Sequence, residues 1–239
     1  IVELEPLSEE EALRFVQARV PETDERRVDW IVETAEVTES PVYLQIAREL
    51  HCHGALEHDR PDNDPQHMNT RSRDRGMLRL WLLETWDEAL CEGRLRRDVA
   101  LSRRERRDAV EVVSALACVG LLQDKLEVGL GELLDSDVHP GPMRRAQARA
   151  GHLWAGGRGF DRYGRRGNVF SEWHRQQIWD VLCRRIGPEE RRRLRGGNVD
   201  QCRAALARIA RNADRLGLVE GFERKVRFPH SIIQAYFGY

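Results

Sequence analysis

Few residues in the chain have types and spacings that could do chemistry, and each admits a plainer explanation. His51-Cys52-His53, with His58 close behind, offers three or four imidazole and thiol groups of the kind that bind zinc. Adjacent ligands rarely point the same way, and no second Cys/His cluster follows, so a solvated helix end is the competing expectation. The stretch Arg158–Arg166 mixes Arg and Gly with Phe160 and Tyr163, a combination that can track phosphates and stack bases; a polar linker is its plainer reading. A helix over about Asp200–Leu216 would present Arg203, Arg208, Arg211 and Arg215, as a helix entering a DNA major groove does. Four arginines carry limited weight here, because 37 of the 39 basic residues are Arg and only Lys125 and Lys225 are lysines. That bias fits a GC-rich bacterial coding sequence.

Several reaction centres are excluded. A P-loop needs lysine after glycine, so that the ammonium can bridge phosphates cradled by loop amides. Asp124 precedes Lys125 and Arg224 precedes Lys225, so neither lysine qualifies. There is no G-x-G-x-x-G following a strand, no G-x-S-x-G elbow and no H-E-x-x-H. These 239 residues contain no self-contained catalytic constellation, and by themselves they are not expected to be an enzyme.

The elements that would position such residues are helical. Ser8-x-x-Glu11 is a capping box opening a helix with Ala12, Leu13, Val16 and Val20 on one face. Val28, Ile31, Val32 and Ala35 mark a second helix, and Pro41 suits the first turn of a third carrying Val42, Tyr43, Ile46, Ala47 and Leu50. The pattern stops between His51 and Arg75. A strongly apolar helix over about Gly76–Gly93 follows, with Leu80, Trp81, Leu83, Trp86 and Leu90. A second capping box, Ser102-x-x-Glu105, then opens a helix with Ala109, Val112, Val113, Leu116 and Ala117. Leu126–Leu130 alternates like a short strand. Residues 135–169 are rich in Gly and Arg. Helices over about Ser171–Ile186 and Asp200–Leu216 precede a hairpin of Leu218-Val219-Glu220 and Val226-Arg227-Phe228. The helix–helix–hairpin order is that of a winged helix.

Composition agrees with a folded chain lacking a membrane span: 41% of residues are hydrophobic, 33% charged, and apolar positions recur at helical spacing. The formal charge of −1 hides an asymmetry, for residues 1–65 carry 6 Arg against 17 acids and the remainder is basic. Two modules with different surfaces are expected. Five cysteines, odd in number and set in helical patterns, suit reduced thiols in a cytoplasm. The chain starts at Ile1, without methionine or leader, and is expected to be a piece of a longer protein.

Three segments together resemble one family. Val2-Glu-Leu-Glu-Pro-Leu-Ser-Glu-Glu-Glu-Ala12 is similar to the join between the last core strand and the helical lid of STAND-class (NACHT-like) P-loop NTPases. Thr38-Glu-Ser-Pro-Val-Tyr-Leu44 resembles the lid motif in which a proline opens an apolar helix, with Glu39 where glycine is usual. Val226-Arg-Phe-Pro-His-Ser-Ile-Ile-Gln-Ala-Tyr-Phe237 resembles the close of the family's winged helix, where Phe-x-His precedes a Gln-containing helix; Ala235 stands where glutamate is common. The resemblance covers about 1–55, 76–134 and 198–239.

It implies a mainly α protein. The end of an NTPase core and a helical lid would occupy 1–55 and a polar linker 56–75. An elaborated winged helix with a short β-hairpin would occupy 76–239, interrupted by an Arg/Gly-rich insertion at about 135–197. It further implies that Pro41 packs on the adenine of ATP or ADP and that His230 reaches the β-phosphate of ADP. Magnesium and the phosphate-binding loop would belong to an upstream nucleotide-binding domain of the same parent chain. The residue types suit these roles. A proline at the start of a helix offers a stiff apolar ring with no N–H to desolvate. An imidazole at a helix start lies beside unpaired backbone N–H groups that favour anions. The implied function is the regulatory half of a cytoplasmic signalling switch, capable of self-association on activation and needing neither nucleic acid nor membrane. Two other classes stay open: a DNA-binding winged-helix regulator, and a structural protein-interaction module.

Overall fold

The computed structural model describes residues 7–17, 40–55, 75–134, 172–196, 198–222 and 224–239. The strand side of the join expected at Val2–Ala12, the helix around Val28–Ala35, His58 and Arg158–Arg166 lie outside the described residues. The protein is mainly helical, with eight α-helices among the described residues and a small three-stranded antiparallel sheet. It divides into two compact units, Ile1–Arg106 and Arg107–Tyr239. The helix expected to open the second domain at 76 therefore groups with the helices before it.

In the first unit, α1 (Glu9–Gln17) begins at the expected capping box. The Ser8 N–H and hydroxyl both donate to Glu11 Oε2, at 3.0 and 2.8 Å, and the Glu11 N–H returns to Ser8 Oγ at 3.3 Å. Those bonds from Ser8, its backbone N–H foremost, hold the Glu11 carboxyl below its ordinary range. α1 buries Ala12 and Val16 and packs on α2 (Pro41–Cys52), while the Arg48 guanidinium lies 4.3 Å from the centre of the Phe15 ring. α2 packs in turn on α3 (Arg75–Glu92), where Glu49 accepts from the Trp86 indole N–H at 3.1 Å and pairs with Arg96 at 3.1 Å. Leu82, Leu83, Thr85, Trp86, Ala89 and Leu90 form the buried side of α3, whereas Leu80 is exposed. The expected stripe therefore holds at Leu83, Trp86 and Leu90 and fails at Leu80.

α3 ends in a Schellman motif. Gly93 adopts φ +77°, its N–H bonds the Leu90 carbonyl at 3.2 Å, and the Arg94 N–H bonds Ala89 at 2.9 Å. The loop beyond it is organised around one buried cation. Arg106, 3% exposed, donates from Nε to Leu101, from Nη1 to Leu90 and Leu95, and from Nη2 to Arg96 and Val99. All five acceptors are main-chain carbonyls, at 2.8–3.2 Å.

In the second unit, α4 (Arg103–Gln123, its first residues belonging to the first unit) is the central apolar helix. Ala109, Val112, Val113, Leu116, Ala117 and Val119 are each fully buried. Its capping box forms as expected, Ser102 Oγ to Glu105 Oε2 at 2.7 Å and the Glu105 N–H to Ser102 Oγ at 3.2 Å. Then follow β1 (Glu127–Gly129), a 3-10 turn (Leu130–Glu132), α5 (Glu172–Arg185), α6 (Pro188–Gly196) and α7 (Val199–Arg215). After these come β2 (Glu220–Phe222), β3 (Lys225–Arg227) and α8 (Ser231–Gly238). The strand order is β1-β3-β2, with Val128 opposite Val226 and Gly221 opposite the same residue on the other edge. The hairpin forms two residues later than expected on its first strand and one earlier on its second. The reason is that Leu218 and Val219 finish the α7 Schellman turn: Gly217 at φ +74° and the Leu218 N–H to Ala213 O at 3.0 Å.

α6 was not expected from the sequence. Its first turn is held by Asp108, whose carboxylate accepts from the Gly187 N–H at 2.8 Å, and by buried Glu190, which binds Arg193 and Arg208. α7 starts from a reciprocal cap, Asn198 Oδ1 accepting from the Gln201 N–H at 2.9 Å and Gln201 Oε1 from the Asn198 N–H at 3.2 Å. Asn198→Ala should cost about 1 kcal/mol in equilibrium urea unfolding; a change indistinguishable from zero would contradict the cap. Burial pushes the thiols of Cys118, Cys183 and Cys202 above their ordinary range. Cys52, Cys91 and Cys118 are half-exposed while Cys183 and Cys202 are buried, so the last two should react slowest with a thiol reagent. Rapid labelling of all five cysteines in the native protein would overturn that expectation.

Candidate functional site

Pro41 is the first residue of α2. The residue before it, Ser40, has an extended backbone (φ −130°, ψ 112°), and its hydroxyl makes no capping bond. Val42, Tyr43 and Leu44 turn inward and are buried, which leaves the pyrrolidine ring of Pro41 exposed. No acidic side chain occupies the first turn of α2. The two features the sequence offered for a contact with an apolar plane, a rigid ring and no N–H beneath it, thus stand at an exposed helix start.

His230 is exposed and stands at a helix start. It is the N-cap of α8 (φ −143°, ψ 139°) and not a residue within the first turn. Its ring makes no capping hydrogen bond, and the first turn of α8 has no acid. The first intrahelical bond runs from the Gln234 N–H to the His230 carbonyl at 3.1 Å, so the N–H groups of Ser231–Ile233 precede the ladder and point towards the helix start. Behind His230 the chain is pinned: Phe228 is 1% exposed, and its N–H bonds the Leu126 carbonyl at 2.9 Å. An imidazole beside uncapped N–H groups, on a firmly held backbone, is chemically suited to an anion. Pro41 belongs to the first unit and His230 to the second.

The other sequence candidates are differently placed. His51 and Cys52 occupy the last turn of α2, His51 buried, and the His53 ring Nδ1–H donates to the Glu49 carbonyl one turn back at 2.8 Å. Among the described residues no three His, Cys, Asp or Glu side chains are grouped to hold a metal. Of the four arginines on α7, Arg203 pairs with Asp200 at 3.2 Å and Arg208 with buried Glu190, while Arg211 and Arg215 are exposed. Among the described residues no helix is long and apolar enough to cross a membrane.

Two residues to which the sequence reading gave no role, Gln234 of the Val226–Phe237 motif and Gly120, matter to the His230 region. Gln234, on the buried side of α8, is 3% exposed, and its side-chain amide donates to the Lys125 carbonyl at 2.6 Å. Gly120 leaves the room that amide occupies. The available signal was a polar residue one position after Ile233 and three before Phe237, on the side of the helix those apolar residues share. No protein-family model matches the chain, and neither curated proteins nor solved structures yield a match.

Proposed function

We propose that this chain is the regulatory half of a STAND-class nucleotide switch, a helical lid followed by a winged helix, acting on ATP or ADP held by an upstream P-loop core. The element order of the second unit supports the winged-helix reading. α4, β1, α5–α6 and α7 would be its helices and first strand, β2–β3 the wing, and the order β1-β3-β2 is the one such a wing requires. The observation that carries the functional reading is His230: exposed, uncapped, and set at the N-terminus of an acid-free helix directly after the wing.

Pro41 offers its ring to the adenine, and His230 donates a ring N–H to the β-phosphate of ADP, next to the backbone N–H groups of Ser231–Ile233. A firmly held donor of this kind favours the ADP-bound, inactive arrangement. Exchange for ATP releases the lid and winged helix in a hinge-type change. Magnesium and the hydrolytic groups belong to the upstream core, so the 239 residues alone should show no ATP hydrolysis above buffer and only weak nucleotide binding. Reproducible turnover that co-purifies with the chain and survives an inactive-protein control would refute this.

DNA binding through α7 is the second reading, favoured by exposed Arg211 and Arg215. It is weakened by Asp200, which stands at the start of α7 where base contacts would be made, and by the internal pairing of Arg203 and Arg208. Titrating the chain with random duplex at several salt concentrations separates the two. The nucleotide-switch reading predicts no binding with a steep salt slope, and a slope of several phosphates would favour DNA.

A further inference from the structure

Gln234 occupies a position that an apolar residue would fill as well for packing alone, between Ile233 and Phe237 on the buried side of α8. Its amide instead crosses to the turn between α4 and β1 and donates to the Lys125 carbonyl at 2.6 Å. That carbonyl is accessible because Lys125 has left the helix, its own N–H bonding back to the Gly120 carbonyl at 2.9 Å. The crossing needs glycine at 120: a Cβ there would stand 2.1 Å from Gln234 Nε2 and 2.7 Å from the Lys125 oxygen. A second close approach lies one turn further along α8, where a Cβ on Gly238 would meet Leu121 Cδ1 at 2.5 Å and the Ala117 carbonyl carbon at 3.0 Å. The next residue of the same turn, Leu126, accepts from the Phe228 N–H at 2.9 Å. Two consecutive carbonyls thus hold the chain on both sides of His230, through Phe228 before it and Gln234 after it, and the Gln234 N–H bonds the His230 carbonyl.

We infer that Gln234 is a positioning residue. With Gly120 and the Lys125 carbonyl it fixes the register of α8 on α4, and so the place from which His230 meets phosphate. The inference rests on the nucleotide reading of His230 and makes the α4–β1 turn the element through which that contact is regulated: a shift of α8 that breaks the Gln234 bond withdraws His230.

The test is a double-mutant cycle on the full-length protein, with ADP dissociation as the readout. His230→Ala removes the phosphate donor. Gln234→Met keeps the length of the side chain and removes its N–H, and Gln234→Asn, whose amide falls short of Lys125, serves if the methionine variant does not fold. His230→Ala should speed ADP release more than about tenfold, and Gln234→Met by several-fold. The double variant should be no faster than His230→Ala alone, because Gln234 acts through His230. Effects that multiply in the double variant, or an unchanged rate in Gln234→Met beside a fast His230→Ala, would overturn the inference. If His230→Ala itself leaves release unchanged, the nucleotide reading fails, and amide exchange decides the register claim separately. Faster exchange of 231–238 in Gln234→Met, with α7 protection unchanged, upholds it; unchanged exchange overturns it.

Discussion

Arg106→Met should lower the unfolding free energy of the first unit by about 3–5 kcal/mol. The guanidinium is buried and uses all five of its N–H donors on main-chain carbonyls: Leu90 at the end of α3, then Leu95, Arg96, Val99 and Leu101 in the loop that follows. The carbonyl at the end of α3 lies at the negative end of that helix, so the charge there is favourable. Methionine fills much of the same volume and leaves those acceptors facing apolar surroundings, where an unmet carbonyl costs about 1–3 kcal/mol. Arg106→Lys keeps the charge but has three donors on one atom and cannot fork across the loop, so it should recover only part of the loss. Urea unfolding followed by tryptophan fluorescence reads this directly, since Trp86 is buried in the same unit. A midpoint within experimental error of wild type for Arg106→Met would show that the loop does not depend on its cation.

That residue also marks where sequence reading stops. Arg106 lies in Arg103-Arg-Glu-Arg-Arg107, a run that reads by composition as a solvated helix start. Only its phase sets it apart, for 106, 109, 113 and 116 fall on one side of a helix, and the last three are buried alanine, valine and leucine. Elements specified by local rules were legible. Both Ser-x-x-Glu capping boxes form, α2 starts at Pro41, β1 pairs where the alternation at Leu126–Leu130 placed a strand, and the hairpin is displaced by only one or two residues. α6 was not legible, because Pro188-Glu-Glu-Arg-Arg-Arg-Leu-Arg-Gly196 has one apolar residue and little periodicity. What makes it a helix is long-range: Asp108 capping Gly187 from 79 residues away, and Glu190 gripping Arg208 on α7. The same holds for Gln234, whose partner Lys125 is 109 residues away. The type and order of the candidate residues Pro41 and His230 could be read from the sequence; the exposure of their rings, and the position of His230 as an N-cap, required the fold.

His230→Ala should have the largest functional effect. If the ring donates to the β-phosphate of ADP, its loss removes a hydrogen bond to a charged group worth about 1.5–3 kcal/mol, more than about tenfold in affinity. His230 is exposed, and its ring caps nothing, so the same change should leave the fold nearly untouched. His230→Gln retains a donor of shorter reach and should fall between wild type and alanine. On the proposal that the ADP-held state is the inactive one, basal signalling by the full-length protein should rise in the same order.

The decisive measurement is the ADP dissociation rate of the full-length protein, with melting temperature determined on the same wild-type, His230→Ala and His230→Gln samples. The nucleotide-switch account predicts faster release in the order wild type, glutamine, alanine, with melting temperatures of the nucleotide-free proteins unchanged within about a degree. A lowered melting temperature with unchanged ADP release would make His230 a structural residue and contradict the account.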